Sequence, residues 1–321
     1  MKEITEFLRR EAARLLSEGV ELFIGYGAGT RPVSARPLFA TKLEEVAELV
    51  FNPFCVHNLV KYLLRHADRK VAVVVKGCDR PAVDRLVAER HLDRGRITLV
   101  GIPCGGMLAR ERLLAELGPR LHIEAVEDRG SSFTLRFPGG EHTLEKKKYL
   151  MEKCLGCTRN NPAGVDVVIG KEVLPVADPE HDPFKEIREI EALPALERAA
   201  FWEKFFGRCL RCYACREVCP ACSCTECAFE QAVPGWQQGA TWVSKAKSLP
   251  DNYHYHLIRA FHVAGRCTGC AECERVCPVG IPLMLINRKL AAETTALFGE
   301  AMDDPCGALC AYSVADPDEF E

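Results

Sequence analysis

Two cysteine runs share one spelling: Cys209-x-x-Cys212-x-x-Cys215-x-x-x-Cys219-Pro220 and Cys267-x-x-Cys270-x-x-Cys273-x-x-x-Cys277-Pro278. Three closely spaced thiolates followed by a fourth before proline is the spacing that holds paired 4Fe-4S cubes, the fourth cysteine of each run reaching across to the other cube. On that rule Cys209, Cys212, Cys215 and Cys277 hold one cluster, and Cys267, Cys270, Cys273 and Cys219 hold the second. The chemistry is one-electron transfer. A structural zinc knot also uses CxxC pairs, but rarely with a third cysteine at the next short step and a CxxxCP close. A disulfide framework suits a small secreted scaffold, which this composition does not describe.

A second set of thiols lies earlier in the chain. Cys78 follows the apolar run KVAVVVKG and Cys104 follows ITLVGIP, so both are expected just past the carboxyl ends of neighbouring parallel strands, where open α/β sheets place ligands. Cys154-Leu-Gly-Cys157 adds two more, and Cys78, Cys104, Cys154 and Cys157 together could hold a third 4Fe-4S cluster. Cys55 is the alternative should Cys78 be only a buried strand-end thiol. Asp79 is expected to cap the helix that Pro81 helps to start, and Gly105 and Gly106 to let backbone amides approach a bound anion at the next helix N-terminus; these three are the candidate cofactor-binding residues.

The elements that must position these groups follow from periodicity. A helix is expected over residues 3 to 18, closed by Gly19, then an apolar strand from Val20 to Tyr26 and a helix from Leu43 to His66. A strand at Val71 to Val75, a helix from Arg80 to about Arg90 and a strand at Ile97 to Ile102 complete a βαβαβ order, which favours a mainly parallel sheet with helices on its faces. A helix after Gly105-Gly106 runs to Leu117, residues 119 to 145 read as strands and a hairpin, and Val165 to Ile169 reads as a last buried strand. The rest is mainly α-helical, with helices at Leu196 to Phe206, Tyr253 to Ala264 and Ile281 to Leu290. The domains expected are residues 1–171, an acid- and proline-rich linker over 172–194, a two-cluster helical domain over 195–300 and an acidic tail over 301–321, expected to be mobile and without chemistry for its Cys306 and Cys310.

The 321 residues, 48% hydrophobic, supply one large or two modest cores without relying on metal alone. No apolar stretch approaches the roughly 20 residues of a membrane span, and MKEITEFLRREAARLL is too charged for a signal peptide, so a cytoplasmic protein is expected. Eighteen cysteines there must be reduced or metal-bound, which points to an anaerobic host. A formal charge of −3 without a basic stripe argues against nucleic acid and leaves proteins as the expected partners.

The segments KGCDRPAVDRLVAE, LVGIPCGG and KCLGCTRNNPAGVDVVIG resemble the core of the β subunits of coenzyme F-420-reducing hydrogenase and F-420-dependent formate dehydrogenase, and VELFIGYGAGTRPVSARPLFATKLEEVAEL is similar to the part preceding that core. The resemblance covers roughly the first half of the chain and implies FAD and a 4Fe-4S cluster. The glycine-rich segment with which those subunits usually open has no counterpart here, and coenzyme F-420 itself is not expected. In the second half, 47 residues separate Cys219 from Cys267, more than in small ferredoxins. That arrangement is similar to the helical dicluster domain of the heterodisulfide reductase small subunit. The combination resembles proteins that accompany formate dehydrogenase, hydrogenase or heterodisulfide-reductase-type subunits.

Smaller features read plainly. Cys222, Cys224 and Cys227 lack a fourth ligand in view and read as spare or structural thiols. His254, His256 and His262 could donate to cluster sulfur but are more commonly satisfied side chains near a core. Gly25, Gly27 and Gly29 do not have dinucleotide-loop spacing and read as a turn; Lys146, Lys147 and Lys148 read as a solvated run. No acid-base or nucleophile constellation is evident, so the expected function is an electron-transferring oxidoreductase subunit, with catalytic residues unassigned. The alternative is a non-catalytic iron-sulfur sensing or assembly module, for which no DNA-binding helix pair is visible.

Overall fold

The computed structural model describes residues 2–30, 33–118, 122–175, 178–225, 227, 229 and 248–298. Cys306, Cys310 and the expected tail lie outside these residues. Contacts divide the chain into two compact units, residues 1–83 with 92–182 and residues 84–91 with 183–321.

The first unit opens with α1 (Lys2–Ser17), whose Leu8 and Ala12 are fully buried. Next come β1 (Leu22–Ala28), β2 (Ala35–Ala40), β3 (Val71–Val75), the start of α2 (Arg80–Ala88), whose residues from Asp84 on count with the second unit, and β4 (Ile97–Gly101). β1, β3 and β4 pair in parallel, with Leu22 opposite Val71 and Val71 opposite Ile97. Every residue of β3 is buried, as an apolar run covered on both faces requires. β2 was not expected, because Pro37 and Arg36 interrupt its pattern. It pairs antiparallel with β1 at the edge of the sheet, where a proline costs no ladder bond on its free side.

The expected helix from Leu43 to His66 is instead two 3-10 segments, Leu43–Glu48 and Leu59–Arg65. Pro53 forces Asn52 away from helical geometry, Val50 donates its N–H to Tyr26 O at 2.8 Å, and Asn58 caps the second segment by accepting from Val60. The first crossover therefore lacks an α-helix, whereas β3-α2-β4 is a βαβ unit.

After β4, α3 (Arg110–Leu117) begins later than Gly105-Gly106 suggested. Gly106 is left-handed with φ of 100°, and Leu108 and Ala109 are drawn into a bridge with Leu150 and Tyr149 before any helix can start. β5 (Ala125–Asp128), β6 (Ser132–Phe137) and β7 (Gly140–Glu145) form a separate antiparallel sheet around Phe133, Leu135 and Leu144. Two single-turn helices follow, α4 (Lys146–Tyr149) and α5 (Glu152–Leu155). The expected buried strand over Val165 to Ile169 shrinks to β8 (Val167–Val168), which lies at the sheet edge with Val168 56% exposed.

The second unit is helical: α6 (Lys185–Glu191), α7 (Ala195–Phe206), α8 (Ala214–Glu217), α9 (Leu249–Val263), α10 (Glu272–Arg275) and α11 (Leu283–Phe298). α6 lies inside the stretch expected as linker and buries Ile187 and Ile190 against Leu285. Phe206, Ile281, Leu283 and Met284 form the principal core, with Trp202 stacked on Phe206. Among the described residues no helix is long and apolar enough to cross a membrane.

Candidate metal centres

The two cysteine runs fold into the same local shape. In the first, Arg211 and Tyr213 are left-handed, with φ of 53° and 59°; in the second, Gly269 and Ala271 are, with φ of 70° and 56°. Each run then enters a single helical turn, α8 or α10, and its fourth cysteine closes that turn: Cys219 N–H donates to Arg216 O and Cys277 N–H to Glu274 O, both at 3.1 Å. A left-handed non-glycine residue costs on the order of 1 kcal/mol, so three of them imply an external constraint. Arg211 is fixed by its Nη1 donating to Asp251 O at 2.7 Å.

The reason for the loops is visible at sulfur. Arg211 N–H points at Cys209 Sγ at 3.4 Å, Ile281 N–H at Cys277 Sγ at 3.3 Å, and Asn287 Nδ2 at Cys273 Sγ at 3.6 Å. Such donors satisfy a thiolate that accepts several weak bonds while bound to metal. Burial raises Cys209 and Cys215, and Cys209 is raised further by Cys215, Cys277 and Cys212 beside it. Burial likewise pushes Cys273 up to about 12, with Cys219, Cys267 and Cys215 among its neighbours, and raises Cys267, which also feels Cys219. The tertiary fold thus brings Cys277 to the first run and Cys219 to the second. Among the described residues no three metal-binding side chains converge on a single-ion site.

Of the three thiols read as spare or structural, Cys222 has a structural contact. Its N–H donates to Cys219 O at 3.1 Å, and its side chain, hydrogen-bonded to the Cys219 sulfur, pulls that thiol down to about 6. Cys224 is exposed, and Cys227 is buried with Phe229 and Tyr255. On α9, His256 is buried and stacked on Phe206 at 4.5 Å, with neither ring nitrogen hydrogen-bonded among the described residues.

In the first unit, Cys78 follows β3, Cys104 follows β4, Cys154 sits on α5 and Cys157 just beyond it. Cys104 has Cys154 and Cys78 as neighbours, Cys78 has Cys154, and Cys154 has Cys157. Burial pushes Cys78 up to about 12 and raises Cys104 and Cys154. Here too amides face sulfur: Gly106 N–H to Cys104 Sγ at 3.4 Å and Met107 N–H to Cys154 Sγ at 3.5 Å.

Asn160 holds the Cys104 turn from both sides, accepting the Cys104 N–H at its own carbonyl and donating Nδ2 to Cys104 O, each at 2.9 Å. Gly77 is required because a Cβ there would fall 2.1 Å from Arg159 O. Neither Asn160 nor Gly77 stood out in the sequence, although NNPAG after the CxxC was the available signal.

Cys55 lies elsewhere. It is fully buried, receives the Asn52 N–H at 3.4 Å and adjoins Lys76. Asp79 stands directly before α2, its carbonyl accepting the Ala82 N–H at 3.1 Å, while its carboxylate accepts the Lys76 N–H at 3.0 Å and pairs with Lys76 Nζ at 2.9 Å, and both side chains are fully buried. Lys76 Nζ also donates to Tyr26 OH at 2.5 Å and His57 O at 2.9 Å.

Gly105 and Gly106 border a cavity of about 830 Å³ with Cys104, Met107, Phe51 and Lys146. Lys146 is a correction to the solvated lysine run: it is buried, pairs with Asp128 at 2.5 Å and donates to Gly105 O at 3.2 Å. Lys147 and Lys148 remain on the surface. Gly25 and Gly27 form no turn; they lie within β1, where a Cβ on Gly25 would meet Leu49 Cδ2 at 2.5 Å.

A family model for the 4Fe-4S dicluster domain matches residues 206–281, which contain both cysteine runs. The β subunit of F420-dependent formate dehydrogenase from Methanocaldococcus jannaschii is 26% identical over 317 aligned positions, covering 79% of this chain and 79% of the relative. Subunit β of F420-dependent formate dehydrogenase 1 from Methanococcus maripaludis is 24% identical over 350 positions, covering 89% and 87%. The solved F420-reducing NiFe hydrogenase complex from Methanosarcina barkeri aligns with a TM-score of 0.39 and 17% identity over 49% of this chain and 62% of that one, too low to carry an argument. The likeness to the formate dehydrogenase subunits runs well beyond the N-terminal half that holds the KGCDR, LVGIPCGG and KCLGC segments. The chain is thus similar along most of its length to the F420-dependent formate dehydrogenase β subunits and carries a 4Fe-4S dicluster domain in its C-terminal region.

Proposed function

We propose that the protein is the electron-transfer subunit of an anaerobic, cytoplasmic oxidoreductase complex, binding three 4Fe-4S clusters and a flavin and working beside a formate dehydrogenase, hydrogenase or heterodisulfide-reductase-type subunit. The observation that carries this reading is the crossed neighbourhood of the two runs, Cys277 beside Cys209 and Cys219 beside Cys267 and Cys273. In it, Cys209, Cys212, Cys215 and Cys277 hold one cluster, Cys267, Cys270, Cys273 and Cys219 the next, and Cys78, Cys104, Cys154 and Cys157 the third. When bound, clusters supply one-electron storage and a flavin supplies exchange between two-electron and one-electron steps.

The residues of the chain prepare both. Backbone amides and Asn287 donate to thiolate sulfur. The cavity beside Cys104 suits a flavin: it lies past the carboxyl ends of parallel strands, its volume is that of a cofactor site, and it combines apolar Phe51 and Met107 with the ammonium groups of Lys146 and Lys147. The names of the two relatives, both F420-dependent formate dehydrogenase subunits, support the class of partner.

Anaerobic purification with quantification of iron, zinc and flavin tests this. We expect about twelve irons and one flavin per chain, with clusters that dithionite reduces. A protein loaded with zinc, or colourless, removes the proposal.

A further inference from the structure

Arg259 on α9 is a buried cation that pairs with no carboxylate among the described residues. It is 3% exposed, its Nη2 donates to Cys215 O at 3.3 Å, and its Nε is buried with no partner among the described residues. An unpaired buried guanidinium costs several kcal/mol, so a site that keeps one supplies negative charge from another source. The groups whose negative charge acts most strongly on Arg259 are sulfurs: Cys273, Cys215, Cys219 and Cys222. They come from both cysteine runs. One helical turn earlier, Tyr255 OH lies 3.2 Å from Cys215 Sγ, so α9 presents a hydroxyl and then a cation to the same wall of thiols. The ring beside them brings no competing charge, since burial, reinforced by Arg259 and Arg211, drops His256 to about 4.

We propose that Arg259 is the shared counter-charge of the two clusters in the C-terminal unit, raising both reduction potentials together. The inference rests on the ligand sets given under Proposed function. A cluster held by four thiolates is a net anion and becomes more so on taking an electron, so a fixed cation favours the reduced form. Reduction adds one electron and forms or breaks no bond, and Arg259 keeps its proton throughout. It is a positioning residue whose effect appears in the potentials.

The test uses the anaerobic, fully loaded protein with Arg259→Gln, which keeps a donor to the Cys215 carbonyl and loses the charge, and Arg259→Lys, which keeps the charge and loses the planar fork. Potentiometric titration followed by electron paramagnetic resonance reads each cluster, beside an iron count. For Arg259→Gln we expect the ratio of reduced to oxidised cluster at a fixed potential to fall about tenfold at both C-terminal clusters, about 59 mV for a one-electron couple. Arg259→Lys should stay within about threefold of the parent at both, with iron unchanged.

Potentials unmoved in Arg259→Gln, a fall confined to one cluster, or an equal fall in Arg259→Lys overturns the proposal. If Arg259→Gln loses iron, Arg259→Lys decides: retained clusters at parental potentials uphold the charge, and loss of iron there too makes the role structural and overturns it. Failure of the underlying ligand sets looks different, because the parent protein itself would lack two reducible clusters in this unit.

Discussion

At the scale of single residues, identity and place separate. Cys55 and Cys78 are both pushed up to about 12 by burial, yet Cys78 adjoins Cys154 and Cys55 does not adjoin another thiol of the set. We therefore expect Cys154→Ser to remove about four irons and Cys55→Ser to remove none, read by iron analysis of anaerobically purified variants. Equal iron loss in both would reverse that choice. The Lys76–Asp79 pair makes a second prediction. Lys76→Met leaves the Asp79 carboxylate buried without its cation, which should cost about 3–5 kcal/mol and lower the melting temperature accordingly. A variant as stable as the parent would show that Asp79 finds another partner. Asp before Arg-Pro is a sound local signal for a helix start, and α2 does begin there; the buried lysine three residues earlier that also pairs with the Asp79 carboxylate has no signature in that spacing.

Among the elements, α9 carries the most chemistry, placing Tyr255, His256 and Arg259 against the cysteine loops. His256 is lowered from 6.5 to about 4 by burial first, then by Arg259 and Arg211. Below pH 6.5 the unfolded chain takes up a proton that the folded chain refuses until about pH 4. Stability from this group is thus complete above pH 6.5 and lost as pH falls, by about 2 kcal/mol between pH 7 and pH 5. Anaerobic melts of loaded parent and His256→Phe should show the variant, which keeps the stacked ring on Phe206, losing that much less on acidification. Parallel losses in the two proteins would assign the acid sensitivity elsewhere. Elements with strong local signals were legible: α1, β3, α2 and α7 stand close to where periodicity puts them. The helix expected at Leu43 to His66 failed because apolar spacing there serves two short 3-10 turns around Pro53, and β2 was hidden by a proline that only an edge strand tolerates.

For the whole molecule, the crossing of the two runs is the decisive arrangement. Cys219→Ser and Cys277→Ser should each damage the cluster anchored by the other run, seen as loss of one set of paramagnetic signals with about four irons. Damage confined to the mutated run would dismantle the crossed ligand sets. The sequence by itself determined the kind of chemistry and its address along the chain: thiolate spacing is a local property, set by how a few residues wrap a loop, and CxxCxxCxxxCP states it twice. It also determined that a βαβ unit leaves Cys78 and Cys104 at adjacent strand ends. Tertiary structure alone decided which thiols meet, that Cys78 and not Cys55 adjoins Cys104 and Cys154, that Lys146 is buried against Asp128, and that an arginine with no carboxylate partner among the described residues stands beside thiols from both runs. The physical reason is that proximity between residues dozens of positions apart, and the burial that makes a lone charge expensive, are properties of the packed chain and have no signature in local spacing.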